Sequence, residues 1–180
     1  NVIGTRSFSE NPLEVSKLGN FCINFFKNNK IATVAKHIPG IGLSKCDSHF
    51  KKPIIKESKP NLIKNDFKPF KDCKYLFAMT GHASYSSYDS RNTATHSKIV
   101  IDKVIREHMK FNGILISDDI SMKALKFDLV KNAKKSLEAG CNLALYCSGN
   151  YNESSKLLKE LPYIDKFTIK KTSEFYKFLR

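Results

Sequence analysis

Two carboxylates, Asp118 and Asp119, stand at the end of an apolar run, Ile114–Ser117, in the stretch N-G-I-L-I-S-D-D-I-S-M-K-A-L. A continuous apolar run reads as a strand covered on both faces of a parallel sheet. Packing alone has no use for a charged pair at its end. Three chemistries suit the pair. One Asp can cap the following turn, the two can share a divalent cation, or one can serve as nucleophile or base. The cation reading lacks the further oxygen ligands that a hard metal needs. A second concentration of polar groups lies in K-H-I-P-G-I-G-L-S-K-C-D-S-H-F, residues 36–50. Asp47 and His49 are two apart, so in an extended loop their side chains share one side. An Asp accepting from one imidazole nitrogen fixes the tautomer and leaves the other nitrogen to exchange protons. Spacing alone favours the plainer reading, a solvated Asp-Ser-His in a surface loop. His37, Cys46, His49, Cys73 and His82 match no compact zinc pattern, so no metal is expected.

The elements that must position these groups alternate between strand, loop and helix. Short apolar runs at Ile31–Ala35, Tyr75–Met79, Ile114–Ser117 and Asn142–Tyr146 are separated by helical patterns. Asn11-Pro12 opens one helix, with an apolar stripe at Leu13, Leu18, Phe21, Cys22, Phe25 and Phe26. Ser97 opens another, whose inner face is expected at Ile99, Val100, Val104 and Ile105. Asp128 caps a third that Gly140 ends. Helices are also expected from Asp66-Phe67, over about 152–160, and after Thr172. The order specifies an α/β fold with a parallel sheet. Functional residues of such folds collect at the carboxyl ends of strands. Those ends carry Lys36-His37, His82, Asp118-Asp119 and Ser148–Asn150, which a parallel sheet brings to one rim.

Composition narrows the classes. The 41% hydrophobic and 27% charged content of these 180 residues is that of an ordinary globular domain. No apolar run nears the roughly 20 residues needed to span a bilayer. The net charge of +14 raises a nucleic-acid reading. However, 27 of the 31 basic residues are scattered Lys and four are Arg, whereas phosphate and base readers lean on clustered Arg. No nucleic-acid or membrane partner is therefore expected. Five cysteines without a C-x-x-C pair suit reduced thiols in a cytoplasm.

The motifs K-H-I-P-G-x-G with D-S-H, then A-M-T-G-H-A-x-Y, then G-I-L-I-S-D-D-I-S-M-K-A-L, resemble those of family 3 glycoside hydrolases. Within that family they are most similar to the bacterial β-N-acetylhexosaminidases of peptidoglycan recycling. The opening V-I-G-T-R-S-F resembles the family's loop before the K-H strand, and the likeness runs from about Val2 to Gly149. The resemblance implies that Asp118 is the nucleophile, His49 the acid/base and Asp47 its partner. It implies that Arg6, Lys36 and His37 bind N-acetylglucosamine hydroxyls. No role passes to Asp119, and no cofactor is implied. Three positions depart from the family pattern: Ile41 for a His, Thr93 for a Pro and Gly81 for an Ala.

The implied reaction is a retaining hydrolysis that releases terminal β-N-acetylglucosamine from muropeptide-type substrates in the cytoplasm. The family's barrel is of (β/α)₈ type and takes about 250 residues. Four βα units therefore imply a partial barrel, the C-terminal half, read as one domain over residues 1–180. The missing half would carry the early strands and a sugar-binding D-x-E-G-G-R segment. The competing expectations are an inactive or saccharide-binding remnant of such a hydrolase and, further off, a basic nucleic-acid-binding domain.

Overall fold

A computed structural model of the chain describes residues 3–44 and 52–179. Three strands form its central sheet: β1 (Val34–Ile38), β3 (Phe77–Thr80) and β5 (Ile114–Ile116). Their order is β1-β3-β5, and both pairings are parallel. The run at Asn142–Tyr146 lies beside β5 through one parallel bridge, Ile116 to Leu143. Backbone bonds extend that contact, from Ser117 N to the Leu143 carbonyl and from Ile120 N to the Leu145 carbonyl, each 2.9 Å. The four expected runs thus align in parallel. The first is displaced toward its C-terminus, because residues 31–33 precede the point where β1 meets β3.

Three elements fall within stretches that read as loop in the sequence. Strands β2 (Ile54–Ile55) and β4 (Ser84–Tyr85) form a small parallel pair of their own. Helix α2 (Lys59–Lys64) follows, with the Ser58 side chain accepting from Asn61 N.

Helix α1 (Pro12–Asn28) starts as expected, with the Asn11 side chain accepting from Leu13 N. Its apolar stripe, however, points outward: Phe21 is 67% and Phe25 57% exposed. The helix packs through a small-residue face instead. Cys73 Sγ reaches the Ser16 carbonyl at 3.5 Å, and Asn20 Nδ2 donates to the Asp72 carbonyl at 3.1 Å. These contacts fix it against α3 (Lys68–Asp72), which starts at Lys68, just after Asp66-Phe67.

The segment opened by Ser97 winds as a π-helix over Val100–His108, with Ser97 Oγ accepting from Val100 N at 3.2 Å. The wider i→i+5 winding changes which residues face inward. Ile101 is buried with Val100, Val104 and Ile105, and Ile99 is exposed. These side chains join Ile38, Ala78 and Leu115 of the sheet in one core.

Helix α4 (Leu129–Ala139) has the expected ends. The Asp128 side chain accepts from Lys131 N, and Gly140 closes it at φ +117°. With α5 (Tyr151–Glu160) it encloses a second cluster of Ile120, Leu125, Ala133 and Leu157. Helix α6 (Lys166–Leu179) begins before Thr172. The stretch after Asp119 forms successive turns.

Candidate active site at the carboxyl ends of the strands

The ends of β1, β3 and β5 bring His37, His82 and Asp118 together, as a parallel sheet requires. Lys36 pairs with Met79 and Ile38 with Thr80, so two steps on β1 match one on β3. His37 is the extra residue of this bulge. A bulged residue leaves the ladder and its side chain is re-aimed. Here the imidazole turns toward β5, and its Nε2 lies 3.5 Å from Asp118 Oδ2. The peptides Lys36-His37 and Ile38-Pro39 are both cis.

Burial is the main influence on His37 and lowers its pKa. Asp118 opposes that effect, and the neighbouring Lys36, His82 and Arg6 add to it. The net shift is downward, so burial favours the neutral imidazole. In that form its contact with Asp118 is that of an imidazole with a carboxylate, and not of two full charges. Arg6 closes a single 3₁₀ turn, Gly4–Arg6. Arg6 and Lys36 stand within electrostatic reach of His37. Asp47 and His49 lie outside the described residues.

The two adjacent carboxylates separate in role. Asp118 Oδ1 accepts from Asp119 N at 2.9 Å, and its Oδ2 faces His37. The carboxylate of Asp119 turns away and accepts from Ser121 N at 3.0 Å and Ser121 Oγ at 2.8 Å. Asp119 is thus the cap of the turn that follows. Among the described residues no group of three or more His, Cys, Asp or Glu side chains could hold a metal ion.

A further acid emerges that the sequence does not single out. The turn after His37, residues 39–44, rests on Asp66, which is 8% exposed. Asp66 Oδ2 accepts from Leu43 N at 3.3 Å. A Cβ on Gly40, at φ +129°, would lie 2.4 Å from the Asp66 carbonyl oxygen, so only glycine fits there. From the other side the buried Tyr85 hydroxyl donates to the Gly40 carbonyl at 2.5 Å, and Phe67 packs edge-on against the Tyr85 ring. Burial pushes the Asp66 carboxyl up to about 6. The Leu43 amide opposes this rise and the field of Glu57 adds to it.

Two departures from the family motif are spatial neighbours. A Cβ on Gly81 would lie 3.3 Å from Ile41 Cγ2 and 3.2 Å from His37 Cβ. The branched Ile41 side chain therefore occupies space beside the position where an alanine methyl would stand. Thr93, the third departure, has φ −70°, the value that proline imposes, so the backbone is kept without the ring.

A cavity of about 640 Å³ opens at the opposite ends of the strands. It is lined by Ile31, Tyr75, Phe111, Asn112 and several lysines, with Glu174 its one acid. It has no share in the rim chemistry.

Comparison with known proteins points to one family. The family description "Glycosyl hydrolase family 3 N terminal domain" matches residues 1–172. A β-hexosaminidase of Actinobacillus pleuropneumoniae serotype 3 (strain JL03) is 34% identical over 152 residues, covering 81% of this chain and 44% of that protein. One from Shewanella frigidimarina (strain NCIMB 400) is 34% identical over 162 residues, 87% of this chain and 47% of its own length. This chain thus spans about half the length of the curated relatives it matches. Among solved structures, a family 3 β-N-acetylglucosaminidase from Paenibacillus sp. str. FPU-7 superposes with a TM-score of 0.87 at 25% identity, covering 98% of this chain and 36% of that one. NagZ from Neisseria gonorrhoeae, in complex with N-trifluoroacetyl-D-glucosamine, gives 0.85 at 25% identity, with coverage of 99% and 51%.

Proposed function

The chain belongs to glycosyl hydrolase family 3, and on that premise we propose that it supplies the nucleophile half of a retaining β-N-acetylglucosaminidase. The observation that carries this reading is the approach of His37 to Asp118 across the ends of β1 and β5. The full protein hydrolyses terminal β-N-acetylglucosamine from muropeptide-type saccharides, in the cytoplasm, as a step of peptidoglycan recycling. Residues 1–180 form one domain, the C-terminal portion of a (β/α)₈ barrel. An outward apolar face on α1 supports that portion as a part of something larger, since an apolar stripe is built to be covered.

Asp118 attacks the anomeric carbon as the bond to the leaving oxygen breaks, and protonated His49 delivers its proton to that oxygen. A covalent glycosyl–Asp118 ester results. His49, now neutral and held by Asp47, takes a proton from water as that water attacks the same carbon and releases the carboxylate. His37, whose neutral form burial favours, faces Asp118 Oδ2 and orients it. Arg6, Lys36 and His37 bind the hydroxyls of the N-acetylglucosamine.

The test is turnover of an aryl N-acetyl-β-glucosaminide by the full-length protein and by Asp118→Ala. Loss of turnover in the variant is expected, and unchanged turnover would overturn the nucleophile assignment. An inactive wild-type protein that still binds N-acetylglucosamine would favour a saccharide-binding remnant, a reading that the half-length match to relatives also permits.

A further inference from the structure

His82 is 1% exposed at the end of β3, and both its ring nitrogens are engaged. Nε2 lies 2.9 Å from the carbonyl oxygen of Asp119, and Nδ1 lies 2.8 Å from Thr95 Oγ1. A carbonyl can only accept, so Nε2 carries a proton and donates it. In the neutral ring Nδ1 is then an acceptor, and the Thr95 hydroxyl donates to it. Thr95 has one hydroxyl proton, and spending it on Nδ1 leaves its oxygen to accept. Thr80 Oγ1 stands 2.8 Å away and can supply that proton. The Thr95 hydroxyl also reaches the Gly81 carbonyl at 3.3 Å, so the step whose direction its acceptor fixes is the last one, from His82 Nε2 to the Asp119 carbonyl. The contacts link Thr80 through Thr95 and His82 to the Asp119 carbonyl.

The ends of this chain are significant. Thr80 belongs to β3 and is fully buried, as is Thr95 in the short turn Ala94–His96. The Asp119 carbonyl belongs to the corner whose amide N–H is held by Asp118 Oδ1. A relay rooted in the sheet thus ends one residue from the carboxylate facing His37. A buried imidazole is a costly way to satisfy one carbonyl, since a backbone or amide donor does so without burying a ring.

We propose that His82 is a positioning residue: through the Thr80–Thr95 relay it sets the Asp118–Asp119 corner, and so the aim of the nucleophile. The proposal rests on the assignment of Asp118 as nucleophile. His82 touches the corner's backbone, so its effect falls on attack and not on sugar binding.

The experiment compares His82→Ala, His82→Gln and Thr95→Val in the full-length protein, using an aryl N-acetyl-β-glucosaminide. A misplacement of the nucleophile of about 1 Å costs up to ~100-fold in rate. His82→Ala should lower kcat by about 10- to 100-fold with KM within about twofold, at unchanged circular dichroism. The Gln side chain keeps an N–H donor for the Asp119 carbonyl and should recover most of the loss. Thr95→Val should give an intermediate loss, because His82 keeps its donor but loses its anchor. If His82→Ala does not fold, the Gln and Val variants decide alone: wild-type kcat in Thr95→Val overturns the relay. Equal changes in kcat and KM, or a Gln variant no better than Ala in a folded protein, also overturn the proposal. If Asp118→Ala retains turnover, the nucleophile assignment itself fails, which is a separate outcome. Loss of turnover in Asp118→Ala with wild-type kinetics in His82→Ala overturns the positioning role alone.

Discussion

Asp66 holds the turn after His37 at a cost that can be measured. Its carboxyl, ordinarily near 3.8, is pushed up to about 6 by burial. Between those values the folded protein binds more protons at this site than the unfolded chain does. Stability from this group is therefore fully present below pH 3.8 and is lost as the pH rises through 6. One pKa unit corresponds to about 1.4 kcal/mol, so the shift represents a burden of about 3 kcal/mol at pH 7. Asp66→Asn removes the charge but keeps an oxygen that can accept from Leu43 N. It should raise unfolding free energy at pH 7 by about 1 to 3 kcal/mol, the lower figure applying if the new Nδ2 finds no acceptor. Near pH 4 the variant and the wild type should match. The assay is urea unfolding of both proteins at pH 4, 5, 6 and 7. His96 bears on the same window with the opposite sign. Burial pushes it down to about 4, so its contribution is present above 6.5 and is lost as pH falls toward 4. The two trends oppose each other in the wild type, and Asp66→Asn should uncover the His96 slope. A variant less stable than wild type at pH 7, or a difference independent of pH, would show that the buried Asp66 carboxylate carries no such burden.

Three further outcomes follow for named residues. His49→Ala should slow substrates with poor leaving groups far more than activated aryl glycosides, read as the slope of log kcat/KM against leaving-group pKa. An equal loss for both would remove His49 as the acid. Gly81→Ala should destabilise the fold by about 1 to 2 kcal/mol through contact with Ile41 and His37, and Ile41→Ala in the same chain should recover part of that. Additive effects in thermal melts would show that the two positions are independent. Asn132→Ala should cost about 2 to 4 kcal/mol, since its buried Nδ2 bridges the Ile120 and Phe127 carbonyls at 3.1 and 2.9 Å. A calorimetric loss below about 0.5 kcal/mol would show that water replaces it.

Much of this arrangement is legible in the sequence because the signals are local. The caps at Asn11 and Asp128 and the stop at Gly140 depend on the chemistry of one or two residues. The convergence on the rim follows from apolar runs that alternate with helices. What the sequence hides is set by contacts across long separations. Strands β2 and β4 have two residues each, too few to show a period. Helix α2 carries a start signal at Ser58 and Pro60, but lies in a lysine- and proline-rich stretch that reads as loop. The bulge at His37 exists only as a register difference against β3. Asp66 looks like the first residue of a short helix until the Gly40 turn is laid over it. The outward stripe of α1 has the right period, and periodicity does not say which partner covers it.

The run after Cys141 has a consequence for exchange of its amides with solvent. Leu145 N donates to a side chain, Ser117 Oγ, at 2.9 Å, where a regular ladder would offer a carbonyl. A hydroxyl can rotate away without moving the sheet. Opening of Leu145 therefore needs only a local event, whereas Ile114 N, bonded to the Leu76 carbonyl, is released by separating two buried strands. Deuterium should enter Leu145 orders of magnitude sooner than Ile114. The wall of the rim beside Asp118 is in this sense on a faster clock than its floor.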